Sequence, residues 1–507
     1  MTNAANDMPS TEPAVSGRDR REPRPHSHLR TVRPTNYRFP TNYGFVSVAR
    51  MTRHRPSCRP VADGPLTRVL GVNRVNLRTV ILGLMVAAAP PAAAQTAPQI
   101  AKIRTTITAE APRHEALLER LVNQNSGSLN LAGVKAVGEI MRAELEPLGF
   151  TVTWEDMAAT GRAGHFVATH RGNGRGKRLL LIAHLDTVFE PTSPFQLYKR
   201  EGGRAIGPGV GDDKGGMVVI VAALRAMQAA GTLKDADITV YATGDEEKTG
   251  SPLTTARAGL IAAGKAADYA LEYEGLASEG GKDFGTIARR SAASWELRTT
   301  GKTGHSSSVF GTNLGYGAIY EMARILDAFR QQLPEPNLTY NVGVMAGGTP
   351  ATIDPTGVDV TATGKTNVVA SQAVARGDIR SLTPEQDAAA RARMAAIVAR
   401  HLPGTGATLQ FFDSYPPMAP TDLHRALLGK LNAVNRDLGL AEMPEYDPAK
   451  RGAADSGFVA QNVATLAGMG TAGGGAHAEG EWVDLDSIPK QALRSALLLS
   501  RLAREPR

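Results

Sequence analysis

From about residue 100 onward, apolar residues occur either with helical spacing or in continuous runs. Apolar residues recur three and four positions apart at 114–123 and 134–145, which predicts amphipathic helices there. Continuous apolar runs predict buried elements, namely a helix at 214–230 and strands at 178–184, 238–243 and 269–273. Because strand, helix and strand repeat, the predicted fold class is α/β, with a mostly parallel sheet and helices on both of its faces.

The order of predicted strands and helices changes between residues 291 and 413. The pattern there predicts strand, helix, two strands, helix and strand, and this is the order of a ferredoxin-like α+β unit. The predicted elements are 294–300, 316–330, 339–345, 373–380, 384–401 and 407–412. We therefore expect residues 291–413 to form a domain inserted into a first domain, whose two parts are 100–290 and 414–507. A final helix is predicted at 488–502.

The residues before position 100 have the order of an export signal. Arg74 and Arg78 precede an apolar run at 80–89, and a small-residue site follows it. This order predicts a signal peptide at 74–94, because the run is too short for a permanent membrane anchor. A membrane-retained or fortuitous apolar segment is the alternative. Residues 1–73 then form a disordered leader or reflect a mis-assigned start, with the true start at Met51 or a nearby codon.

The positive charge of the chain lies in the same N-terminal region. Residues 1–80 contain 14 Arg, no Lys and five acidic residues, a net +9, which leaves −1 of the total of +8 for the rest. A nucleic-acid binder needs its basic patch on the folded domain, so this function is not expected. The single cysteine, Cys58, also lies in this region. A metal site in the exported chain would therefore consist of His and carboxylate side chains.

Acidic residues and histidines follow the predicted strands, where open α/β sheets have their sites. His184 and Asp186 are alternate residues at a strand end and so share a face. Asp212 and Asp213 stand in a glycine-rich loop before a helix, where a metal site and a helix cap are equally good interpretations. The loop lacks the Gly-Lys-Ser/Thr order of a phosphate-binding loop.

Two further acidic groups and a late histidine complete the candidates. The consecutive acids 245–247 repel one another unless a cation or a shared proton relieves them, although a solvated turn is the usual explanation. Glu272 and Glu274 end the next strand, with the same alternative. His477 lies in a glycine run, where a core role is a poor fit and a ligand role becomes attractive.

Together these segments resemble the co-catalytic zinc metallopeptidase family of glutamate carboxypeptidase, aminoacylase, succinyl-diaminopimelate desuccinylase and the carnosine-type dipeptidases. The motifs that carry the resemblance are His-Leu-Asp-Thr-Val at 184–188, Gly-Pro-Gly-Val-Gly-Asp-Asp-Lys-Gly-Gly at 207–216 and Gly-Asp-Glu-Glu at 244–247. The resemblance extends over about residues 110–505. It implies a zinc-peptidase catalytic domain with two zinc ions per chain, for which cobalt or manganese could substitute.

The resemblance also implies a role for each site residue. His184 and Glu274 would bind one zinc, Glu247 and His477 the other, and Asp212 would bridge them. Three protein ligands per ion leave a position open for water, as a catalytic zinc requires. Asp186 would hydrogen-bond to His184 and fix its ring. Glu246 would be the general base and then the acid.

In this family the inserted domain dimerises and closes over the site. His305 matches a histidine that reaches the partner's site and stabilises the oxyanion. Asn367 and Arg380 match residues that hold the substrate carboxylate or the intermediate, and an Arg can bind a carboxylate through two hydrogen bonds. A purely structural role for Arg380, at a strand end, is the alternative. The resemblance thus implies a homodimer through the inserted domain.

The chain resembles glutamate carboxypeptidase more than the other branches of the family in two features. These are Glu at position 274, where the dipeptidase branches usually have Asp, and the amino-acid sequence of the 207–216 motif. We expect a periplasmic or secreted metallopeptidase that releases a C-terminal amino acid such as glutamate from a small peptidyl or N-acyl conjugate. An N-acyl-amino-acid deacylase or dipeptidase of the same family is the main alternative. A binding protein that has lost catalysis is disfavoured, because every ligand and base position is filled.

Overall fold

The structure is a computed structural model that describes residues 96–354 and 357–507. The predicted leader at 1–73 and signal peptide at 74–94 lie outside the described residues, so both stay predictions. Within the described ranges, no helix is long and apolar enough to cross a membrane.

The helices of the described chain are numbered in chain order. They are α1 (Ala97–Ala109), α2 (Ala111–Asn123), α3 (Leu131–Leu145), α4 (Gly215–Ala229), α5 (Leu253–Ala256), α6 (Ala258–Ala266), α7 (Ala318–Gln332), α8 (Pro384–Val398), α9 (Asp422–Leu438), α10 (Ser456–Val459) and α11 (Ser487–Leu502). The sequence pattern located most of these helices to within three residues. It missed α1, α9 and the short helices α5, α6 and α10.

The strands are numbered in the same way. Before residue 290 they are β1 (Thr151–Asp156), β2 (Gly164–His170), β3 (Arg178–His184), β4 (Lys199–Glu201), β5 (Arg204–Ile206), β6 (Asp237–Thr243), β7 (Tyr269–Glu272), β8 (Ala277–Glu279) and β9 (Lys282–Phe284). After residue 290 they are β10 (Ala292–Gly301), β11 (Thr339–Tyr340), β12 (Val344–Gly348), β13 (Ala351–Ile353), β14 (Val360–Ala362), β15 (Gln372–Arg380), β16 (Thr405–Tyr415), β17 (Ala464–Leu466), β18 (Gly473–Gly474) and β19 (Trp482–Asp484).

The first sheet has the strand order β1-β2-β6-β3-β7-β17. Strands β6, β3, β7 and β17 run parallel, and the β1–β2 and β2–β6 pairs are antiparallel. Every residue of β3 after its first is buried, as expected for a strand with helices on both faces. The carboxyl ends of β6, β3 and β7 therefore open side by side at one edge. The predicted fold class, a mostly parallel α/β sheet, is confirmed.

Helix α4 explains how the first sheet is covered. All but three of its fifteen residues are buried, and α4 packs against α1 and α11 as well as the sheet. On the other face, α6 packs over β3 and β6 and α10 over β7, through Leu260, Val459 and Phe458. A helix that is apolar all round has to be buried in this way. Helix α4 begins at Gly215, shortly after Asp212, and this places the Asp212 carboxylate at the open edge of the strands.

The second sheet is antiparallel and lies between residues 292 and 415. Its order is β11-β15-β10-β16, with β12 also paired to β15, and α7 and α8 cover one face around Trp295 and Phe329. The pattern predicted one strand at 339–345, where the structure has two short strands, β11 and β12. The division of the chain into domains at 100–290, 291–413 and 414–507 stays a prediction.

Candidate metal centre

Three neighbouring strand ends bring the predicted metal ligands together. His184 is the last residue of β3, Glu246 and Glu247 follow β6, and Glu274 follows β7. Because β6, β3 and β7 are adjacent and parallel, their C-terminal ends meet at one edge. Ligand atoms of His184, Glu246 and Glu274 all lie within 4.8 Å of one another.

Asp212 lies between two histidines. Its Oδ1 is 3.0 Å from Nε2 of His184, and its Oδ2 is 3.2 Å from Nε2 of His477. The same Nε2 of His477 lies 3.0 Å from Oε2 of Glu247. One carboxylate thus presents one oxygen to each histidine. We use the name metal centre for the six residues His184, Asp212, Glu246, Glu247, Glu274 and His477.

The alternative interpretations of these acids do not match the structure. Helix α4 has no side-chain cap from Asp212 or Asp213, and both carboxylate oxygens of Asp213 are buried without a hydrogen-bond partner. The 245–247 segment is not a solvated turn, because Asp245 is fully buried and the side chain of Glu247 is 5% exposed. Asp245 pairs with Arg257, but the Glu247 carboxylate has no Lys or Arg partner among the described residues, and a buried acid of this kind indicates a site for a bound cation.

The pKa shifts of the metal centre also indicate a functional site at these residues. Burial and the neighbouring Glu274 raise the pKa of Glu246 well above its usual value. Burial, followed by repulsion from Glu272 and Asp212, raises the pKa of Glu274 to about 7. Hydrogen bonds to Asp212 and Glu247 raise the pKa of His477 to about 10. Strongly perturbed groups in one cleft are typical of a functional site. His and carboxylate donors without a thiol fit zinc, cobalt or manganese.

Asp186 is fully buried behind the metal centre and holds the acidic segment. Its carboxylate accepts hydrogen bonds from the backbone N–H groups of Glu246 (2.9 Å) and Glu247 (3.1 Å) and from the Ser128 hydroxyl (2.5 Å). Nδ1 of His184 lies 3.0 Å from the backbone oxygen of Asp186 and 3.6 Å from its Oδ1. Asp186 therefore contacts His184 mainly through its backbone, while its carboxylate orients the two glutamates.

Glu481 holds the Asp212 loop from the other side, and the sequence interpretation missed it. Its Oε1 accepts from the backbone N–H of Gly211 (2.7 Å) and of Asp212 (3.0 Å), and its Oε2 accepts from Gly209 (3.0 Å). Burial raises the pKa of this carboxyl to about 7 in spite of those bonds. Glu481 follows His477 by four residues, so one short segment positions both. No local pattern in the sequence marks Glu481.

Behind the acidic segment lies a second group of buried charges, which we call the Arg257 network: Arg257, Asp245 and Asp455. Nη1 of Arg257 is 2.5 Å from Oδ1 of Asp245, and its Nε is 2.8 Å from Oδ1 of Asp455. Arg257 and Asp245 are fully buried, and Asp455 nearly so. Asp455 also accepts from the Thr243 hydroxyl, at 2.6 Å. Here the protein supplies its own cation.

The metal centre opens into a cavity of about 360 Å³. Its lining includes Asp212, Glu246, Glu274 and His477 of the metal centre, together with Arg451 and Trp482. Nε of Arg451 has no hydrogen-bond partner, and its nearest carboxylate, on Glu274, is 4.0 Å away. Burial and repulsion from Arg289 lower the pKa of Arg451 to about 10. A buried guanidinium with so little compensation fits an anionic group of a ligand.

His305, Asn367 and Arg380 do not line this cavity. His305 and Asn367 lie on neighbouring loops of the second sheet, where the backbone N–H of Ser306 donates to the Asn367 carbonyl at 2.9 Å. His305 is exposed, and its Nδ1 is 2.8 Å from the Ser307 hydroxyl. Arg380 ends β15 and pairs with Asp378 at 3.0 Å. Their predicted roles stay predictions.

The α/β sheet and the histidine–carboxylate cluster at its strand ends form the arrangement expected of a metal-dependent enzyme. A family described as "Peptidase family M20/M25/M40" matches residues 180–501, and the chain belongs to this family. The resemblance read from the motifs is thereby confirmed.

The sequence is similar to carboxypeptidase G2 of Pseudomonas sp. (strain RS-16), with 28% identity over 403 residues, 78% of this chain and 90% of that protein. Among solved structures, aminopeptidase PepT from Bacillus cereus has a TM-score of 0.61 at 18% identity and covers 78% of this chain and 99% of its own. The M20 family metallo-carboxypeptidase Sso-CP2 from Sulfolobus solfataricus has a TM-score of 0.55 at 16% identity, with coverage of 77% and 99%. The two structures share the fold with this chain.

Proposed function

We propose that the protein is a di-zinc hydrolase that releases a C-terminal amino acid, such as glutamate, from a small peptidyl or N-acyl conjugate. The observation that carries this proposal is Asp212, which directs one carboxylate oxygen to His184 and the other to His477. A carboxylate between two histidines, each with a second acid beside it, suits two cations that share one ligand. The similarity to carboxypeptidase G2 supports a carboxypeptidase-like activity.

The proposed ligands are enough for two ions. His184 and Glu274 would hold one zinc, Glu247 and His477 the other, and Asp212 would contribute to both. Bound there, the two ions supply Lewis acidity, which polarises the scissile carbonyl and makes water more acidic. Cobalt or manganese would suit the same donors. Asp186 and Glu481 keep these ligands in place through hydrogen bonds to their backbone.

Glu246 is the group proposed to move the proton. Its carboxylate lines the cavity beside Glu274 and His184. It would accept a proton from the attacking water and then pass that proton to the nitrogen of the departing amino acid. Burial favours this exchange, because a buried carboxylate holds a proton more readily than an exposed one.

Arg451 is proposed to hold the free carboxylate of the amino acid that leaves. It borders the same cavity as Glu246 and lacks a close acidic partner. A guanidinium can receive a carboxylate through two parallel hydrogen bonds. A substrate whose terminal carboxylate is replaced by a carboxamide should therefore lose about 100-fold or more in kcat/KM, since a buried cation is then left unpaired.

The proposed homodimer has a candidate surface on the second sheet. Ile319 and Tyr320 on α7 are about half exposed. Met345 on β12 and Phe310, in the loop before α7, are exposed to a similar extent. A Cβ on Gly347 would lie 2.6 Å from Ile319, so α7 and β12 are in contact at this point. Large exposed apolar surfaces are typical of interfaces. We expect Ile319→Asp to shift the sedimentation coefficient from dimer to monomer, and a wild-type monomer would contradict the proposal.

The test of the function is hydrolysis by the protein after metal stripping and again after zinc addition. The substrates are peptidyl-glutamates, their C-terminal carboxamides, N-acetyl amino acids and dipeptides. We expect zinc-dependent release of the terminal amino acid, with the carboxamides as matched controls. Preference for N-acetyl amino acids or dipeptides would assign the protein to the deacylase or dipeptidase branch. Two bound zinc ions without turnover of any substrate would overturn the carboxypeptidase proposal.

A further inference from the structure

The junction between the two sheets lies directly behind the acidic segment 244–251. Ala292 begins β10 and Tyr415 ends β16, and these two residues pair with each other in the second sheet. The chain enters the second sheet at Ala292 and leaves it at Tyr415. A change in the position of this sheet would therefore move the Tyr415 side chain.

The Tyr415 hydroxyl contacts the acidic segment at two points. It donates to the backbone oxygen of Glu246 at 2.5 Å and lies 3.1 Å from the Thr249 hydroxyl. Nη2 of Arg257 donates to the same hydroxyl at 3.0 Å. The Tyr415 ring packs edge-on against Phe458, with centroids 5.3 Å apart. One phenol thus joins the second sheet, the Arg257 network and the backbone of Glu246.

The backbone of Glu246 is held on both sides of its Cα. Its N–H is held by Asp186 at 2.9 Å, and its carbonyl is held by Tyr415. Together with the 3.1 Å bond from the Glu247 N–H to Asp186, these two bonds hold the peptide groups on both sides of the Glu246 Cα, and so they set the direction of its Cα–Cβ bond. Tyr415 itself does not line the cavity of the metal centre.

We propose that Tyr415 is a positioning residue, whose hydroxyl couples the junction of the second sheet to the orientation of Glu246. This inference rests on the proposed role of Glu246 in proton transfer. A small displacement of a catalytic group lowers the rate steeply, whereas substrate binding by other groups is preserved. Loss of the hydroxyl should therefore lower kcat and leave KM nearly unchanged.

The test compares Tyr415→Phe with Tyr241→Phe in the zinc-loaded full chain. Tyr241 is a matched control, because its buried hydroxyl also makes one 2.5 Å hydrogen bond, to Glu155, away from Glu246. We expect Tyr415→Phe to lower kcat about 10- to 100-fold with KM within about twofold and zinc content unchanged. Tyr241→Phe should keep the wild-type kcat.

Hydrogen exchange of the amides at 244–251 gives a second measurement that does not depend on turnover. We expect these amides to exchange faster in Tyr415→Phe and at the wild-type rate in Tyr241→Phe. A wild-type kcat and unchanged exchange in Tyr415→Phe would overturn the inference, as would an equal loss of kcat in both variants. If wild-type protein cleaves no substrate, the proposed function fails, while the exchange rates still decide whether Tyr415 holds the Glu246 segment.

Discussion

Two groups of buried acids share the segment 244–251, the metal centre through Glu246 and Glu247 and the Arg257 network through Asp245. In the Arg257 network, two carboxylates share one fully buried guanidinium. In the metal centre, the carboxylates of Asp212 and Glu247 have only histidines as close partners among the described residues. Asp245 belongs to the Arg257 network, and its neighbour Glu246 belongs to the metal centre.

The difference shows that adjacent residues of one acidic run do different work. Asp245 has a protein cation 2.5 Å away and needs nothing from outside the chain. The acids of the metal centre cannot all stay ionised in a buried cleft without added positive charge. Glu274 is intermediate, because Arg289 lies 2.6 Å from it but also binds Glu272 at 2.6 Å. The imbalance is therefore local to the residues that we propose hold zinc.

The first test replaces the carboxylate of each neighbour, Glu246 and Asp245, with the matching amide. Glu246→Gln should lower kcat about 10²- to 10⁴-fold, because an amide cannot accept the proton from water. Its zinc content and melting temperature should stay close to those of the wild type. Asp245→Asn should instead lower the melting temperature, because Arg257 loses an ionised partner. Steady-state kinetics, zinc analysis and thermal unfolding measure these outcomes.

The opposite pattern would reverse the assignment. If Glu246→Gln unfolded readily and kept its turnover, the structural acid would be Glu246. Loss of zinc from Glu246→Gln would make it a ligand rather than the base.

The second test removes the cation of the Arg257 network. Arg257→Met leaves Asp245 and Asp455 buried without their partner, and breaking a buried ion pair in this way costs about 3–5 kcal/mol. We expect this loss in the free energy of unfolding of zinc-loaded protein, measured with urea.

Arg178→Met is the control for the second test. Arg178 pairs with Asp268 at 3.0 Å, but its side chain is 46% exposed. Such surface pairs contribute about 0–1 kcal/mol. Equal losses in the two variants would mean that burial does not distinguish the Arg257 network from an ordinary surface pair.

Much of the fold and the candidate site was predictable from sequence, because both depend on local patterns. The apolar run at 178–184 has the bounds of β3, and the polar residues after the strands converge because parallel strands end at one edge. His184, Asp212 and Glu247 are close together, as the motif resemblance implied. These features require only strand order and the position of polar residues after a strand.

The residues that sequence missed act through contacts between distant segments. Glu481 binds a loop about 270 positions earlier, and Arg257 pairs with Asp455 across 198 positions. No local period marks such a partner, and a lone Glu or Arg is typically a surface residue. Strands β1 and β2 were missed as well, although they have six and seven residues, and so were short strands such as β18 and β19. Long-range hydrogen bonds to backbone N–H groups therefore define the part of the site that patterns do not predict.

The smallest expected effect concerns Glu481, which contacts neither proposed ion and holds a ligand loop. Its two oxygens accept three backbone N–H groups, including that of Asp212. Glu481→Gln replaces one of these oxygens with an NH₂ group, which would face an N–H donor. The loop then loses at least one hydrogen bond, and Asp212 loses its fixed orientation between His184 and His477. We expect zinc affinity to fall about 10- to 100-fold, the usual effect of removing a residue that orients a metal ligand.

Competition with a chelator measures this change, and Glu479→Gln is the matched control. Glu479 lies two residues earlier in the same segment, and it is exposed. Because Asp212 lies between both histidines, Glu481→Gln should weaken both zinc sites, whereas Glu479→Gln should weaken neither. A loss at only one site would show that Asp212 serves a single ion. Wild-type affinity in Glu481→Gln would show that the Asp212 loop keeps its shape without this carboxylate, and then the imbalance of charge alone would have to explain zinc binding.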